Sequence, residues 1–325
     1  MSNKRQLDWI AKFSEARGSK KPSGKVMSKK QMLKKRGPVK ATIFYHGQCP
    51  DGSTAAMLLR EYEKQIGNEN VSLRPIRPGA NTFAISGQER IYMVDVVADA
   101  ETVAKCKKAC KEFILLDHHK SSIEILHGVH DAHIDCTRCG SMQAMHWIEE
   151  RVGKKMSDSI RVMVDYINDM DLALNKLDRT NHAQRVLRDI RKPEDALSVL
   201  KKIDKGGIEA IADEGKEDWD HLQEWLSETV PLAAFTEICG VQFATITLDG
   251  WSADLSDLGN AIAEHFGAPA CVKYTNSTGE VHMLRSVRGA GIDVSEIAVQ
   301  MGGGGHKHAA AFKAEFKEEQ VFAAR

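Results

Sequence analysis

Residues 90–119 have the sequence RIYMVDVVADAETVAKCKKACKEFILLDHH, and their pattern decides the fold class. Arg90–Val97 is apolar and rich in β-branched residues, as in a buried strand, and Glu112–Asp117 has the same character. Between them, Asp99 is placed to cap a helix over Ala100–Ala109. This order of strand, helix and strand predicts parallel strands that are joined by a crossover helix.

The same alternation continues on both sides of this stretch. Upstream, Ala41–Tyr45 predicts a strand, and a helical pattern begins near Thr54 after a short loop. Downstream, helices dominate from Ser141 to about Val230, and a second α/β unit begins near Ala234. The sequence therefore predicts an α/β fold, in which a parallel-sheet domain is followed by a smaller α/β domain.

The second unit has its own set of predicted elements. They are a strand at Val241–Leu248, a helix capped by Ser256, a hairpin of Ala270–Tyr274 and Glu280–Ser286, and a helix at Val294–Met301. Composition predicts four segments along the chain: a basic arm at 1–40, the first domain at 41–200, a helical linker at 201–233, and the second domain at 234–325.

Charge is unevenly distributed, although the formal net charge is zero. Residues 1–40 contain 13 Lys and Arg against Asp8 and Glu15. Such an arm can contact the phosphates of single-stranded nucleic acid, or it can be a disordered solubilising tail. No segment has the ~18 apolar residues of a membrane span or the apolar core of a secretory signal. We therefore expect a cytoplasmic protein without membrane contact, whose seven scattered cysteines are reduced thiols.

Ionisable side chains follow three of the predicted parallel strands. They are His46 and Asp51, then Asp95, then Asp117, His118 and His119. The carboxyl ends of parallel strands meet at one edge of a sheet, so these side chains are expected to converge. Mixed carboxylate and imidazole ligands suit Mn²⁺, Mg²⁺ or Zn²⁺. One or two such ions would generate hydroxide and neutralise phosphoryl charge, which indicates phosphoester hydrolysis, with Asp95 as a bridging carboxylate.

A glycine-rich loop near the C-terminus is the second chemical signal. Four consecutive glycines at 302–305 let backbone N–H groups approach an anion, and Arg285, His306 and Lys307 can add charge or hydrogen bonds. The alternative is a flexible linker, but the apolar Ala309–Phe312 that follows is typical of a packed segment. We therefore expect a phosphate-binding loop.

Taken in order, these segments resemble the motifs of the DHH phosphoesterase superfamily. The matching segments are YHGQCPDGSTAAMLL, YMVDVV, ILLDHHKS, the region from Asp135 to Ser141, and VDYINDMDL. The segment LRSVRGAGIDVSEIAVQMGGGGHKHAAAF resembles the DHH-associated C-terminal domain. The resemblance covers about residues 41–325. It implies a two-domain hydrolase that binds Mn²⁺ in its first domain, with Mg²⁺ as the alternative ion, and has its active-site cleft between the domains.

The resemblance also implies roles for individual residues. The implied metal ligands are His46, Asp51, Asp95, His118 and Asp169. Asp171 is the alternative to Asp169. We prefer Asp169 because it ends the predicted helix Ser157–Ile167, as the fourth-motif aspartate of the family does. Asp117 would orient a histidine, and His119 would contact substrate or act as a general acid. The implied substrate-binding residues are Arg285, Ser286, Gly303, Gly304, Gly305 and His306.

The first motif departs from the family pattern. Many members have two or three aspartates there, whereas this chain has Asp51 alone, with Cys49 and Ser53 at the flanking alternate positions. The occupancy of a second metal site therefore stays open. We interpret the change as altered coordination and not as loss of activity.

Three functions remain in consideration. The leading prediction is a Mn²⁺-dependent phosphodiesterase acting on short oligonucleotides, cyclic dinucleotides or 3'-phosphoadenosine 5'-phosphate. The second is a single-strand-specific exonuclease whose basic arm holds the strand. The third belongs to another class, a catalytically weak nucleotide-binding protein, and is motivated by the missing first-motif aspartates. The oligomeric state, a homodimer included, is left open by the sequence.

Overall fold

The computed structural model describes residues 40–81, 83–85, 90–127, 134–250, 254–277, 279–287, 289 and 291–313. The chain divides into two compact units between Trp219 and Asp220. Apart from Lys40, the predicted basic arm at 1–40 lies outside the described residues. Among the described helices, none combines the length and the apolar character that a membrane span requires.

The first unit is built on a four-stranded parallel sheet with the strand order β2-β1-β3-β4. Its strands are β1 (Ala41–His46), β2 (Val71–Ile76), β3 (Arg90–Val94) and β4 (Glu112–Leu116). β1 pairs with β2 on one side and with β3 on the other. Because the chain visits one side of β1 and then crosses to the other, a topological switch point lies at the carboxyl ends of β1 and β3.

Helices pack on both faces of this sheet, and further helices follow along the chain before the second sheet begins. They are α1 (Pro50–Gln65), α2 (Ala100–Ala109), α3 (Lys120–Leu126), α4 (Gly140–Val152), α5 (Asp158–Asp171), α6 (Thr180–Leu187), α7 (Pro193–Gly206), α8 (Glu209–Glu214) and α9 (Lys216–Thr229). Alternate strand residues enter different cores: Ile43 and Tyr92 belong to the apolar cluster that includes α1 and α4, whereas Phe44 and Met93 belong to the one that includes α2. Burial on both faces explains the nearly continuous apolar runs of β1 and β3.

The second unit contains a mixed sheet with the order β5-β6-β7-β8-β10-β9. Its strands are β5 (Ala234–Ile238), β6 (Val241–Leu248), β7 (Ala270–Asn276), β8 (Gly279–Arg285), β9 (Gly304–His306) and β10 (Ala309–Lys313). β6 and β7 are parallel, and the other neighbours are antiparallel. Helix α10 (Leu255–Phe266) packs with Ala244 and Val272, and α11 (Val294–Gln300) packs with Phe243 and Leu284.

The structure confirms the predicted α/β class. Helix α2 spans the predicted residues, and the Asp99 carboxylate accepts a hydrogen bond from Thr102 N at 2.7 Å. β2 and β5 were not predicted as strands, because β2 contains Pro75 and lies at an edge, and β5 is largely exposed. The prediction that Ser256 caps α10 is wrong: the helix begins at Leu255, and the Ser256 hydroxyl accepts a hydrogen bond from the side chain of Arg285.

Candidate metal centre

The switch point of the first sheet brings together the side chains that follow β1, β3 and β4. His46 ends β1, Asp95 follows β3 directly, and Asp117 follows β4 with His118 and His119 after it. Asp95 adopts a left-handed backbone conformation with φ 55°, which is uncommon for a residue other than glycine. Such strain is found where the surrounding structure holds a side chain in a functional position.

Asp95 stands at the middle of the group, and its two carboxylate oxygens face different partners. Oδ1 lies 3.1 Å from His118 Nε2. Oδ2 lies 3.4 Å from His46 Nδ1 and 3.3 Å from Cys49 Sγ. Asp95 itself is only 1% exposed. One buried carboxylate therefore connects two distinct sets of donor atoms.

His118 belongs to the second set of donors. Its Nε2 atom lies 3.3 Å from Asp171 Oδ2 and 3.9 Å from Asp51 Oδ2. The structure thus places four of the five sequence-predicted ligands, His46, Asp51, Asp95 and His118, in one cluster with Cys49 and Asp171. We call this group, together with Asp117 and His119, the carboxyl-end cluster.

Asp51 is held in place by the start of α4. Its carboxylate accepts hydrogen bonds from Gly140 N at 2.6 Å and from Ser141 N at 2.7 Å, and a carboxylate at a helix N-terminus is favoured by the helix dipole. A Cβ atom at Gly140 would lie 2.8 Å from Asp95 Cβ and 3.0 Å from Asp51 Oδ2. Glycine is therefore required where α4 approaches the cluster.

The structure places Asp171, and not the preferred Asp169, in the cluster. The Asp169 carboxylate instead accepts hydrogen bonds from Lys176 N at 2.9 Å and from the Thr180 hydroxyl at 2.8 Å, so it organises the loop between α5 and α6. Residues two apart on a helix point about 200° away from each other, so the two aspartates cannot share one partner. Asp171 continues the stripe of Val164 and Ile167 at helical spacing, and this signal in the sequence could have identified it.

Asp117 and His119 form a pair at the margin of the cluster. His119 Nδ1 lies 2.9 Å from Asp117 Oδ1 and 3.9 Å from Asp95 Oδ1. The Gln143 side-chain amide donates to the Asp117 carbonyl at 3.0 Å and so fixes the end of β4 against α4. Asp117 Oδ2 is buried without a hydrogen-bond partner among the described residues. An unpaired buried carboxylate oxygen is costly, so it points to a ligand that supplies the missing contact.

Burial and mutual repulsion perturb the acids of the cluster. Burial raises the pKa of Asp51 well above its usual value, and Asp95 and Asp171 raise it further. Burial, followed by the charge of Asp95, raises the pKa of Asp171 to about 6, against the opposing effect of His118. Burial also disfavours ionisation of Asp95, but hydrogen bonds with His118 and His46 outweigh it and hold its pKa well below the usual range.

The imidazoles respond in the opposite sense. Burial would lower the pKa of His118, but Asp95, Asp171 and Asp51 together raise it to about 9. The hydrogen bond with Asp117 raises the pKa of His119, although burial opposes it. Several carboxylates thus compete for the positive charge of a few imidazoles, which is an electrostatic setting that favours a divalent cation.

The donor set fits such a cation. Two groups of side chains offer ligand atoms within 4.8 Å of one another: His46, Cys49 and Asp95 in one, and Asp51, His118 and Asp171 in the other. A third group, Asp95, Asp117, His118 and His119, overlaps with both. Carboxylate and imidazole donors suit Mn²⁺ and Zn²⁺.

The predicted substrate-binding residues of the second unit have structural partners of their own. Ser286 is buried, and its hydroxyl lies 2.9 Å from His308 Nδ1 and 3.2 Å from the Ile292 carbonyl. Arg285 Nη2 donates to the Ser256 hydroxyl at 2.8 Å, and burial lowers the Arg285 pKa. Of His306, only the backbone in β9 belongs to the described structure.

Packing requires some of the glycines of the loop at 302–305 but not all of them. A Cβ at Gly303 would lie 2.2 Å from the Ala311 carbonyl oxygen, and one at Gly305 would lie 2.5 Å from Ala310 Cα, because β10 packs directly against both. A Cβ at Gly304 would meet no described atom within 4 Å, and the backbone there has no positive φ. Among these glycines, Gly304 is therefore the position where neither packing nor backbone conformation requires a glycine.

No protein-family model matches the chain, and no curated protein sequence does either. Solved structures do match. The exonuclease RecJ bound to manganese is 14% identical over 87% of this chain and 88% of that one, with a TM-score of 0.53. A DHH domain from a member of a family of ribosomal proteins is 17% identical over 88% and 84%, with a TM-score of 0.54. PggH, a pGpG-specific phosphodiesterase from Vibrio cholerae, is 13% identical over 86% and 94%, with a TM-score of 0.50.

At these identities the matches establish the fold. They span both units of the chain, since each covers more than four fifths of it. Together with the ordered motifs and the parallel sheet that carries the carboxyl-end cluster, they confirm the fold that the sequence resemblance predicted. The chain has the fold of the DHH superfamily of phosphoesterases.

Proposed function

We propose that this protein is a metal-dependent phosphoesterase that hydrolyses phosphate esters of short oligonucleotides or small nucleotides, with Mn²⁺ as its cofactor. One observation carries the proposal: buried Asp95 presents one oxygen to His118 and the other to His46 and Cys49. A carboxylate between two donor sets is the arrangement that suits a pair of cations. Bound cations supply a hydroxide at neutral pH and neutralise charge on the phosphoryl group.

The residues around this centre have separable tasks. Asp51 is fixed by the N-terminus of α4 and presents its Oδ2 atom to the cluster. His119 Nδ1 is hydrogen-bonded to Asp117, so Nε2 is the ring nitrogen that remains for a substrate oxygen. His119, whose side chain is about one third exposed, is therefore suited to contact the phosphoryl group or to protonate the leaving oxygen.

Small nucleotides are the substrate class that we favour. PggH, a solved structure that this chain resembles, is described as a pGpG-specific phosphodiesterase. Gly304, the glycine that packing leaves free, suits close approach of a phosphate to the backbone N–H groups of the loop. The likeness to PggH supports a short substrate, and the free position at Gly304 supports contact of the loop with a phosphate.

A single-strand-specific exonuclease is the second candidate. Its support is the likeness to the exonuclease RecJ, together with the excess of Lys and Arg in residues 1–40. A basic arm can follow a phosphate backbone over several nucleotides by counterion release. A catalytically weak nucleotide-binding protein is the third candidate, since Cys49 and Ser53 stand where many relatives have aspartates.

The deciding experiment is a hydrolysis assay with Mn²⁺ on four substrate types: dinucleotides, cyclic dinucleotides, 3'-phosphoadenosine 5'-phosphate and 5'-labelled single strands. We expect release of phosphate or mononucleotide from the short substrates. His118→Ala should abolish this activity, and His221→Ala, at an exposed position on α9, should retain it. If every substrate stays intact, the binding-only candidate replaces the hydrolase.

Deletion of residues 1–38 separates the two enzyme candidates. A small-nucleotide phosphoesterase should keep its activity on dinucleotides and on all other short substrates after the deletion. An exonuclease that depends on the arm should lose activity on long strands while its activity on dinucleotides persists. The comparison should be made at two salt concentrations, because binding through phosphate contacts weakens steeply with salt.

A further inference from the structure

Cys49 occupies an unusual position for a thiol. It is the residue before α1, with an extended backbone (φ −116°, ψ 132°), where Ser, Thr, Asp or Asn would ordinarily cap the helix. Within the described structure, its side chain makes no capping hydrogen bond. Its Sγ atom instead lies 3.3 Å from Asp95 Oδ2, so the thiol belongs to the carboxyl-end cluster.

Three different donor types meet at this point. Cys49 Sγ, His46 Nδ1 and a carboxylate oxygen of Asp95 lie within 4.8 Å of one another. The distances to Asp95 Oδ2 are 3.3 Å from the sulfur and 3.4 Å from the nitrogen. Ligand atoms that share one tetrahedral Zn²⁺ lie about 3.3 to 3.6 Å apart, given the usual bond lengths. Both distances to Asp95 Oδ2 thus already match the spacing of ligands on a single cation, and the third pair lies within 4.8 Å.

The other donor group is chemically harder. Asp51, His118 and Asp171 offer two carboxylates and one imidazole, without sulfur. Oxygen donors select Mg²⁺ and Mn²⁺, whereas a thiolate selects softer ions such as Zn²⁺. The cluster therefore contains two donor groups of different softness, and Asp95 presents a separate oxygen to each.

We propose that Cys49 is a thiolate metal ligand that completes, with His46 and Asp95, a site binding Zn²⁺ or Co²⁺ more tightly than Mn²⁺. The proposal rests on the metal centre of the proposed function and assigns a different ion to one of its donor groups. On binding, the Cys49 thiol releases its proton to solvent, and a metal–sulfur bond replaces a bond from the cation to water.

Cys139 is a second thiol near the cluster, so a test of Cys49 must exclude Cys139 as the sulfur ligand. It is buried, and its Sγ lies 3.2 Å from the hydroxyl of Ser141, whose backbone N–H donates to the Asp51 carboxylate. It therefore adjoins the harder donor group. Cys239 is exposed in the second unit and serves as a distant control. Serine at each position preserves size and removes the sulfur.

The test is Co²⁺ titration of the full-length, chelator-treated protein, followed by its sulfur-to-cobalt charge-transfer absorption. We expect the band in the wild type, in Cys139→Ser and in Cys239→Ser, and its loss in Cys49→Ser and Cys49→Asp. Competition with Zn²⁺ should show an affinity at least about tenfold weaker in Cys49→Ser. Cys49→Asp, with an oxygen donor restored, should instead bind Mn²⁺ more tightly than the wild type does.

Two results would overturn the proposal: no charge-transfer band in the wild type, or a band that survives Cys49→Ser and disappears in Cys139→Ser. Circular dichroism of each variant shows whether the fold is retained, and Cys49→Asp provides a second variant should Cys49→Ser misfold. This readout is independent of hydrolysis. Turnover with Mn²⁺ but no band rejects the thiolate ligand alone, whereas a band without turnover on any substrate rejects the proposed function alone.

Discussion

Buried charged side chains lie at both ends of strand β3. At one end they are paired within the protein, and at the other end they are not fully paired. At the start of β3, Arg90 donates to the fully buried Glu63 at 2.7 Å and to Glu112 at 2.7 Å, while Tyr92 hydrogen-bonds Glu63 as well. Asn68 completes the shell of Glu63 at 2.7 Å. We call Glu63, Asn68, Arg90, Tyr92 and Glu112 the amino-end network.

The amino-end network is internally satisfied, whereas the carboxyl-end cluster is not. In the network, opposite charges and hydrogen-bond donors surround each buried carboxylate. In the cluster, Asp51, Asp95 and Asp171 repel one another, and Asp117 Oδ2 has no partner among the described residues. A satisfied network stabilises a fold, while an unsatisfied cluster of acids is retained for a ligand. The two ends should therefore respond differently to substitution.

Asp95→Asn should give the largest effect. The substitution preserves size but removes the charge that both donor groups share. We expect kcat/KM with Mn²⁺ to fall by roughly 10³-fold, or about 4 kcal/mol. Glu63→Gln, at the other end of the sheet, is the control, and its activity per folded molecule should stay within about twofold of the wild type. An Asp95→Asn protein of nearly normal activity would contradict the central role of Asp95.

Arg90→Met disrupts the amino-end network. It leaves the buried Glu63 carboxylate without its cation, and loss of one member of a buried ion pair typically costs about 3–5 kcal/mol. We expect that decrease in the free energy of unfolding, measured by urea denaturation. Adding Glu63→Gln to the variant should recover part of the loss, since it removes the unpaired charge. A change below about 1 kcal/mol would show that the network is dispensable.

Divalent cations should stabilise the protein through the carboxyl-end cluster alone. A cation at 100 times its dissociation constant adds about 2.7 kcal/mol to the free energy of unfolding. We expect Mn²⁺ or Zn²⁺ to raise the Tm, measured by circular dichroism against a chelator-treated sample. Arg90→Met should keep the increment, although its starting Tm is lower, and Asp95→Asn should lose it. An equal increment in both variants would place the cation elsewhere.

The two aspartates of helix α5 should have separate roles, one in stability and the other in metal binding. Asp169→Asn replaces an acceptor of several hydrogen bonds with an amide, so we expect a loss of about 1–3 kcal/mol in stability. Asp171→Asn should change stability less and weaken Mn²⁺ affinity by about tenfold or more. Isothermal titration with Mn²⁺ and urea denaturation of both variants measure the two quantities. The reverse pattern would restore Asp169 as the ligand.

Much of the fold could be predicted from the sequence because its signals are local. The apolar runs of β1 and β3 and the cap at Asp99 depend on neighbouring residues only. The rule that carboxyl ends of parallel strands meet then brings His46, Asp95 and His118 together without any knowledge of tertiary packing. Signals that act over a few residues therefore gave both the α/β class and the centre of the cluster.

The features that the sequence did not reveal depend on contacts between distant segments. The choice of Asp171 over Asp169 follows from how α5 packs against α1 and α4. Ser256 has the sequence signature of a cap, but Arg285, far along the chain, takes its hydroxyl. Strand β2 contains Arg74 and Pro75 and becomes a strand through pairing with β1. Packing partners of this kind cannot be read from a local pattern.

Gly304→Ala is the prediction with the smallest expected effect on stability, and it extends the comparison to the second unit. Because a Cβ there meets no described atom within 4 Å, the free energy of unfolding should change by less than about 0.5 kcal/mol. Gly303→Ala is the matched control and should lose about 1–3 kcal/mol, since its Cβ would clash with β10. If the loop binds phosphate, Gly304→Ala should raise the KM for a dinucleotide several-fold, because the added methyl group obstructs approach to the backbone N–H groups. An unchanged KM would show that this loop serves the fold and not the substrate.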